Sequence, residues 1–417
     1  MLTKDRNSLE LKLISLFRRL DGLDKTEITK EVQAPWSTTN VAIDRLVKDN
    51  ILFLQPNTNN KYKAKVYLNA NYQIFVGWSI GNSMIKLVFV DYAFQLLSTS
   101  KCLSNVEDDK YAEFISKLQE YNFLQKTDTV CQWCCQTPES SDVIRDIIAQ
   151  ISLCITQLKS PDFNIVAMGF AFPDQIDFYN QRIVRSFTNK KGAGFINVTL
   201  PSLLTATIAS QIAEKQIQCF IDHNVKCSTV AEKEALVLKH NTFNDSNLIV
   251  AYLGYGLSVG LLLDNAIYRG GNFHNTSGEF GKCILDYNQP ERTIETIIRD
   301  EVFHAKDDFE SLSSQDLTER YLNTQFVNDQ DRQLFLNILS VALYNICNEL
   351  GVEKIVFAGK FDNLFPHIER SLLNKFEEYK KSNLSLINSY YGEYSAAVGA
   401  AMSCFYHINK LPLEWNN

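Results

Sequence analysis

The chain has 417 residues, of which 45% are hydrophobic, and carries a formal net charge of −7 at pH 7. This length exceeds one average domain, so we expect two or three domains with substantial hydrophobic cores. The sequence has no run of roughly eighteen apolar residues and no apolar signal region at its start, which argues against a membrane-spanning or secreted class and predicts a cytoplasmic protein. Ten cysteines are too few for a disulfide scaffold, and we expect reduced thiols.

Positive charge is concentrated at the N-terminal end. Residues 1–72 contain 12 lysines and arginines against 8 aspartates and glutamates, a local balance of +4 in a chain whose overall charge is negative. A basic segment of this kind is typical of a domain that binds a polyanion. We therefore expect a separate N-terminal domain with a nucleic-acid partner.

Three helices are predicted at the start of the chain. Apolar residues at helical spacing run through 7–20, a short helix spans 25–33, and a third spans 37–50 after a break at Ala34-Pro35. Two short helices around a tight break indicate a helix-turn-helix, whose second helix enters the major groove of DNA. The second helix carries side chains of the types that contact phosphates and base edges, namely Ser37, Thr38, Thr39, Asn40 and Arg45.

A β-hairpin is predicted after the third helix. Residues 51–69 consist of a short apolar strand, a turn rich in proline and asparagine, and a second strand with lysines at alternate positions. This pattern matches a wing, with Lys61, Lys63 and Lys65 facing a phosphate backbone. An ordinary three-helix bundle with a solvated basic hairpin is the alternative. The helix order, the basic hairpin and the charge distribution together favour binding to double-stranded DNA.

The pattern changes at residue 74, where strands begin to alternate with helices. A strand, a glycine-bearing turn and a second strand lie within residues 74–100, and a similar unit recurs at residues 247–271. Two related units predict a duplicated α/β architecture with a cleft between its halves. Glycine-bearing turns let backbone N–H groups approach phosphates, but they also occur in ordinary hairpins, so these turns alone do not indicate a phosphate site.

Six short motifs in the body follow an order that is typical of one protein family. They are Ser79-Ile80-Gly81-Asn82-Ser83, IVAMGFAFPDQID (165–177), LGYGLSVG (253–260), SGEFGK (277–282), IVFAGKF (355–361) and GEYSAAVGAAM (392–402). On these motifs the chain resembles the ROK family of repressors and sugar kinases, and specifically its repressor branch with an N-terminal winged helix-turn-helix. The resemblance covers nearly the whole chain.

The resemblance implies a fold class and a domain arrangement. The class is α/β, with a winged helix-turn-helix over residues 1–72 followed by a two-lobed, duplicated, actin-like ATPase body of the ribonuclease H-like type. The N-terminal lobe is expected over residues 73–200 and the C-terminal lobe, with a dimerisation surface, over residues 201–417.

Departures from the kinase motifs imply that the body is not an enzyme. In IDHNVK (221–226), Asn224 stands where family kinases carry the aspartate that takes a proton from the sugar, and His223 replaces a sugar-binding asparagine. An amide has no usable basicity near neutral pH, and a general base contributes about 10²–10⁴ in rate. Ser79 replaces the phosphate-loop aspartate and Lys360 interrupts the adenosine glycines. Larger side chains also replace the small residues of the second phosphate loop at Tyr255, Ser258 and Val259. We therefore expect no ATP, no other cofactor and no sugar phosphorylation.

The structural zinc of the family is also expected to be missing. Family members carry a histidine followed by a run of cysteines, whereas here Lys282 replaces the histidine and only Cys283 follows it. A protonated lysine cannot bind zinc, and one thiol does not supply four ligands. The sequence thus predicts no metal at this position.

Part of the sugar pocket is retained. The residues that the resemblance places there are Asn189, His223, Asn224, Glu279, Lys282 and Glu295. Carboxylates and amides of this kind can recognise a polyol, whereas Lys282 and His223 can instead favour an anion such as a phosphosugar or sugar acid. The alternative is that Glu279 and Lys282 form a closed ion pair and the cleft binds nothing.

The sequence therefore predicts a cytoplasmic, dimeric DNA-binding regulator, a repressor of carbohydrate-related genes, with a kinase-like body that has lost catalysis. A sugar kinase with a fused regulatory head is one alternative. A regulator that is controlled by a protein partner rather than by a sugar is another, and the sequence does not separate it from a small-molecule sensor.

Overall fold

The structure of the chain is a computed structural model. It describes residues 8–57, 60–98, 108–126, 130–158, 164–185, 217–240, 247–254, 256–270, 277–285, 288–306, 308–309, 311–379 and 383–411. The helices are α1 Ser8–Arg19, α2 Lys25–Val32, α3 Trp36–Lys48, α4 Asp108–Glu120, α5 Ser141–Gln157, α6 Asn224–His240, α7 Ile294–Thr296 with a π-helical continuation Ile297–Val302, α8 Ser314–Leu322, α9 Asp329–Leu350, α10 Phe361–Glu378 and α11 Ser395–Ile408.

The strands are β1 Leu23–Asp24, β2 Leu52–Asn57, β3 Asn60–Leu68, β4 Ile74–Ile80, β5 Met84–Val90, β6 Leu124–Gln125, β7 Gln132–Gln136, β8 Ile165–Phe172, β9 Gln175–Asp177, β10 Arg182–Arg185, β11 Gln218–His223, β12 Leu248–Leu253, β13 Leu257–Leu263, β14 Ala266–Ile267, β15 Lys354–Gly359 and β16 Ser385–Asn388. No helix in the described ranges is long and apolar enough to cross a membrane. The cysteines in those ranges carry free thiols.

The head consists of α1, α2 and α3 packed beside a small antiparallel sheet in the order β1-β3-β2. A capping box starts α2, because Asp24 accepts hydrogen bonds from the backbone N–H groups of Thr26 and Glu27. The helix ends at Gln33, whose φ of 50° is left-handed, and Pro35 precedes α3. The predicted three helices and hairpin are therefore present. Their shared core includes Leu13, Ile28, Ile43, Leu46 and Val66.

Two sheets form the body, and each is built around the same unit. In the first sheet, β4 and β5 form an antiparallel hairpin, and β4 also pairs in parallel with β8. In the second, β12 and β13 form the hairpin, and β12 pairs in parallel with β15. The strand orders are β11-β8-β4-β5-β7-β6 and β14-β13-β12-β15-β16. This repetition confirms the duplicated α/β architecture and the two-lobed fold.

Strand alternation divides the apolar side chains of the first sheet between two cores. Ile74, Val76 and Trp78 of β4 pack with α4 and α5, whereas Phe75 packs on the opposite side with α11. The second sheet behaves similarly, with α9 and α10 on one face and α6 on the other. Helices α6 and α11 therefore lie between the sheets and pack against each other.

Helix α11 fits between the first sheet and α6 only because small residues line the contacts. A Cβ on Gly77 would lie 1.9 Å from the carbonyl oxygen of Ala397, and one on Gly169 would lie 2.0 Å from that of Ala400. On the other side, a Cβ on Gly399 would lie 1.7 Å from the carbonyl oxygen of Cys227 in α6. These contacts involve backbone atoms, so no side-chain movement could relieve them.

The lobes do not follow the expected division at residue 200. That position belongs to residues 186–216, outside the described ranges. Strand β11 pairs in parallel with β8 in the first sheet, and α11 packs on the same sheet although it lies at the end of the chain. The first lobe thus includes elements from the segment that was assigned to the C-terminal lobe. A parallel strand needs a crossover connection, so it can be added to a sheet from a distant part of the sequence.

One arginine joins the head to the body. The Arg18 guanidinium at the end of α1 lies 3.5 Å from the ring centre of Phe94 and 3.9 Å from that of Phe405, and its Nε donates to the carbonyl oxygen of Tyr92 at 2.9 Å. Burial of the guanidinium lowers the pKa of Arg18. Tyr406, next to Phe405, donates a hydrogen bond to Glu234 of α6. The end of α11 therefore contacts both the head and the helix that begins at Asn224.

We expect Arg18→Ala to loosen the head from the body. The substitution removes a desolvated cation–π contact, which is worth roughly 2 kcal/mol. Hydrogen exchange in α1 and β5 should become faster, and the urea midpoint of unfolding should fall. Lys12→Ala, at an exposed position of α1, is the matched control and should change neither measurement. Exchange rates in the Arg18 variant equal to those of the parent would contradict this role.

Candidate functional site

The segment IDHNVK forms the end of β11 and the start of α6. His223 is 2% exposed, and its Nδ1 accepts a hydrogen bond from the backbone N–H of Val225 at 3.3 Å. The Asn224 Oδ1 also accepts from this N–H, at 2.7 Å. The His223 Nε2 is buried and has no hydrogen-bond partner in the described part of the chain. It lies 3.6 Å from Glu279 Oε1, so the histidine places an unsatisfied nitrogen beside a carboxylate.

Three of the predicted pocket residues meet beside His223. Lys282 Nζ lies 2.5 Å from Glu279 Oε2. Burial alone would raise the pKa of Glu279, but His223 and Lys282 outweigh it and lower the pKa to about 2. Burial raises the pKa of Glu295; the charge of Lys282 opposes this rise, whereas the charge of Glu279 adds to it. The structure thus brings Glu279, Lys282 and Glu295 together with His223 and Asn224, while Asn189 lies outside the described residues.

The Glu295 carboxylate packs against the turn between β12 and β13. A Cβ on Gly256 would lie 2.2 Å from Glu295 Oε2, and one on Gly281 would lie 3.0 Å from it. The turn belongs to LGYGLSVG, the segment that resembles the second phosphate loop.

A buried ion pair underlies the site and was not predicted from the sequence. Asp222 accepts two hydrogen bonds from the Arg269 guanidinium, at 2.7 and 2.9 Å, and the guanidinium lies 3.6 Å from the ring centre of Phe178. Burial alone would raise the pKa of Asp222, but the charge and hydrogen bonds of Arg269 lower it. Asp222 was visible beside His223, whereas Arg269 lies 47 positions further along without a recognisable motif.

Lys226 is a second residue whose role the sequence did not indicate. It is fully buried in α6, and its Nζ donates to the carbonyl oxygen and to Oγ of Ser277, at 2.9 and 2.7 Å. Burial and the nearby charge of Arg269 lower the pKa of Lys226 to about 7. The lysine ties α6 to the loop that carries Glu279.

The side of the cleft that resembles a nucleotide site is occupied by protein groups. Lys360 is buried, and its Nζ donates to the carbonyl oxygen of Phe309 at 2.6 Å. Glu393, just before α11, lies 3.6 Å from Lys86 Nζ in the first lobe and accepts a hydrogen bond from the backbone N–H of Ser314 in the second lobe. The two lobes are therefore tied together across this cleft.

The remaining residues that differ from the family's phosphate-loop motifs lie in different environments. Ser79 is buried in β4, where it pairs with Lys86 and Ala171 of the neighbouring strands. Val259 does not fill space for phosphates as expected, because strand alternation in β13 turns its side chain into the core of the second lobe. Ser258 is half-buried on the same strand, and Tyr255 lies outside the described residues.

The predicted DNA-contacting residues of α3 divide into exposed and buried groups. Ser37, Thr38 and Arg45 are exposed, and Arg45 also lies 3.8 Å from Glu10 of α1. Thr39 is fully buried and its hydroxyl donates to the carbonyl oxygen of Pro35, so it faces the head core and not a groove. We therefore remove it from the contacting set.

Asn40 and the predicted wing lysines complete the set. Asn40 is half-buried, and both of its amide atoms are covered. Lys65 is exposed on β3; Lys61 and Lys63 belong to the same strand at alternate positions, and their side chains lie outside the described part.

The position of the family zinc holds an ion pair. Lys282 binds Glu279, and Cys283 beside it is an exposed free thiol. A search of the described residues finds no group of three or more histidine, cysteine, aspartate or glutamate side chains that could hold a metal ion.

Comparison with known proteins places this fold and site in one family. The ROK family model matches residues 124–404, more than half of the chain. The chain belongs to the ROK family. It is 26% identical to the xylose repressor of Bacillus spizizenii over 258 residues, 61% of this chain and 54% of that protein. It is 24% identical to the xylose repressor of Bacillus subtilis strain 168 over 283 residues, 64% of this chain and 69% of that protein. The chain thus matches little more than half the length of the first repressor.

Solved structures agree on the fold. A ROK family transcriptional regulator, a homolog of the E. coli MLC protein, superposes with a TM-score of 0.63 at 12% identity, over 96% of this chain and 97% of that one. A ROK hexokinase from Thermus thermophilus gives a TM-score of 0.53 at 14% identity, over 81% of this chain and 99% of that one. The regulator matches almost the whole chain, whereas the hexokinase matches a smaller share of it.

We expect the buried Lys226 to make stability depend on pH. An amine with a folded-state pKa of about 7 is neutral in the native state and protonated in the unfolded state between about pH 7 and 10, so stability rises with pH in that window. The free energy of unfolding of the parent minus that of Lys226→Met should therefore increase from pH 7 to pH 9. Urea unfolding at several pH values measures it.

The matched control for this pH experiment is Lys282→Met, which removes a partly exposed lysine of the same site. Its partner Glu279 stays ionised from pH 7 to 9, so the control should give a difference that does not vary over this range. A constant difference for Lys226→Met would show that this amine does not titrate there.

Proposed function

We propose that this chain is a DNA-binding transcriptional regulator, a repressor of carbohydrate-related genes, whose body senses a sugar without phosphorylating it. The observation that carries the proposal is Asn224 at the start of α6, in place of the family's catalytic base, on a body whose remaining pocket side chains are still assembled. The similarity to two repressors and the near-complete match to a regulator of the same family support it.

The loss of catalysis follows from two features of the cleft. The amide of Asn224 cannot accept the sugar proton at neutral pH, so the general-base contribution of about 10²–10⁴ is absent. Lys360 interrupts the adenosine-side motif and is held by the carbonyl oxygen of Phe309, and the Lys86–Glu393 pair lies beside the same segment. These groups oppose nucleotide binding as well as proton transfer.

The same pocket retains groups for binding a sugar. The unsatisfied Nε2 of His223 and the carboxylates of Glu279 and Glu295 can exchange hydrogen bonds with hydroxyl groups. Two of the cations near the pocket already have carboxylate partners, since Arg269 binds Asp222 and Lys282 binds Glu279, and the Lys226 amine donates to Ser277. A neutral polyol therefore fits this charge balance better than a phosphosugar or sugar acid. Asn189 belongs to the proposed pocket by its place in the family motif.

The proposed DNA surface is the exposed side of the head. Ser37, Thr38 and Arg45 are exposed on α3, and Lys65 is exposed on the hairpin that forms the proposed wing with Lys61 and Lys63. Asn40 stays in the proposal as a residue at the edge of this surface. A homodimer with two such heads would bind a palindromic operator, because helix-turn-helix dimers contact two half-sites.

A sugar can change DNA affinity only if it binds the competent and incompetent states of the protein differently. Closure of the two lobes is the proposed two-state element. Helix α6 begins in the pocket, and α11 connects it to the Arg18 contact with the head. A ligand that moves α6 would therefore act on the helix that holds the head.

We expect the parent and Asn224→Asp to show no sugar-dependent hydrolysis of ATP. The aspartate restores a base, but Ser79 supplies no carboxylate for a metal-nucleotide and Lys360 still interrupts the adenosine-side motif. A coupled ADP assay with a panel of hexoses, pentoses and amino sugars measures turnover, and thermal unfolding with MgATP measures nucleotide binding. Turnover by the parent with any sugar would favour the alternative, a sugar kinase with a regulatory head.

We expect DNA binding and sugar response to separate in two single variants. Arg45→Ala should weaken operator binding roughly tenfold, because it removes a cation at the groove. Glu279→Gln should leave operator affinity unchanged and reduce the response to the inducing sugar. Fluorescence anisotropy on labelled operator, with inducers first found by thermal shift among sugars, sugar acids and phosphosugars, measures both. If none of these compounds stabilises the protein, control by a protein partner becomes the better explanation.

A further inference from the structure

The outward face of α3 carries two large apolar side chains. Trp36 is 59% exposed and Val41 is 51% exposed, although the head is packed against the body. The opposite face of the same helix already supplies the head core, through Thr39, Ala42, Ile43 and Leu46. Neither Trp36 nor Val41 is therefore needed to hold α3 in place. An exposed apolar pair on a helix that is otherwise polar on this side suggests contact with a partner.

Helical spacing places Val41 among polar residues. Ser37, Val41 and Arg45 are four residues apart, so they lie on one stripe along the helix, and Trp36 stands at its N-terminal end. Arg45 is exposed at the other end of this stripe, and Lys48 is exposed one turn further on. A partner for this stripe must accept an apolar contact in the middle and cations at one end. Duplex DNA fits this requirement better than a second protein surface.

The major groove offers one apolar group, the 5-methyl of thymine. A recognition helix contacts base edges with residues of its N-terminal part, and Trp36 and Val41 both lie in the first half of α3. On the basis of the proposed function, we propose that Val41 reads a thymine methyl group in each operator half-site and that Trp36 covers a neighbouring one. The polar residues beside them then contact phosphates and other base edges, while this pair determines a preference for thymine.

The proposed contact with thymine can be tested one methyl group at a time, because deoxyuridine differs from thymidine only by the absence of the 5-methyl group. The full chain is first used to select duplexes from a random pool. Each thymine of the selected site is then replaced singly by deoxyuridine, and affinities are measured by anisotropy. Replacement at one or two positions per half-site should weaken binding about three- to fivefold, the effect of burying one methyl group. Replacement at other thymines should have no effect.

The protein side of this test uses Val41→Ala and Trp36→Ala. Each variant should bind the thymine site more weakly than the parent, and Val41→Ala should lose the response to deoxyuridine at the position that Val41 contacts while keeping the response at the neighbouring one. Leu124→Ala removes a 72% exposed leucine from β6 of the body and is the matched control, with the full methyl dependence retained. Thermal unfolding should not distinguish the Val41 variant from the parent, because the side chain lies outside the core.

The outcomes separate the inference from the proposed function. Selection of no duplex at all would overturn both. Selective DNA binding with no response to deoxyuridine, or a Val41→Ala variant that keeps the full response, would overturn the inference while the regulator function stands. A change of oligomeric state in Trp36→Ala or Val41→Ala without DNA, measured by light scattering, would assign the pair to contact between copies of the chain and would also overturn it.

Discussion

The close packing of α11 against the first sheet and α6 is the constraint on which the rest of the molecule depends. Gly77 and Gly169 admit the backbone of α11 on one side, and Gly399 admits the backbone of α6 on the other. The helix is buried along its length, so it cannot shift without disturbing both neighbours. Since α6 begins at the pocket and α11 ends at the head, one packed layer connects the proposed sugar site with the proposed DNA surface.

The charged side chains of the site are compensated within the protein. Asp222 pairs with Arg269, Glu279 with Lys282, and Glu393 with Lys86, each within the protein. These pairs leave the Nε2 of His223 without a hydrogen-bond partner in the described part of the chain. In the proposed sensor such a site needs only to bind a ground-state sugar, since binding alone places no demand on basicity.

Sequence patterns predicted the elements better than the contacts between them. The break at Pro35 and the two hairpins of the body are local signals, and each appears where it was expected. Thr39 was assigned to the wrong face, because its hydroxyl can bond to the backbone four residues earlier and so enter the core. Arg269 was not predicted because its partner Asp222 lies in β11, 47 positions earlier in the chain, and no sequence periodicity indicates a pairing over that separation.

The aromatic rings around Arg18 also limit how this protein could be engineered. The rings belong to α11 and to the segment that follows β5, whereas the arginine belongs to α1. A chimera in which only the first seventy or so residues came from another ROK protein would keep these aromatic rings and lose Arg18. Under the proposed function, a change of operator specificity requires grafting the outward face of α3 onto the native head, with α1 left unchanged.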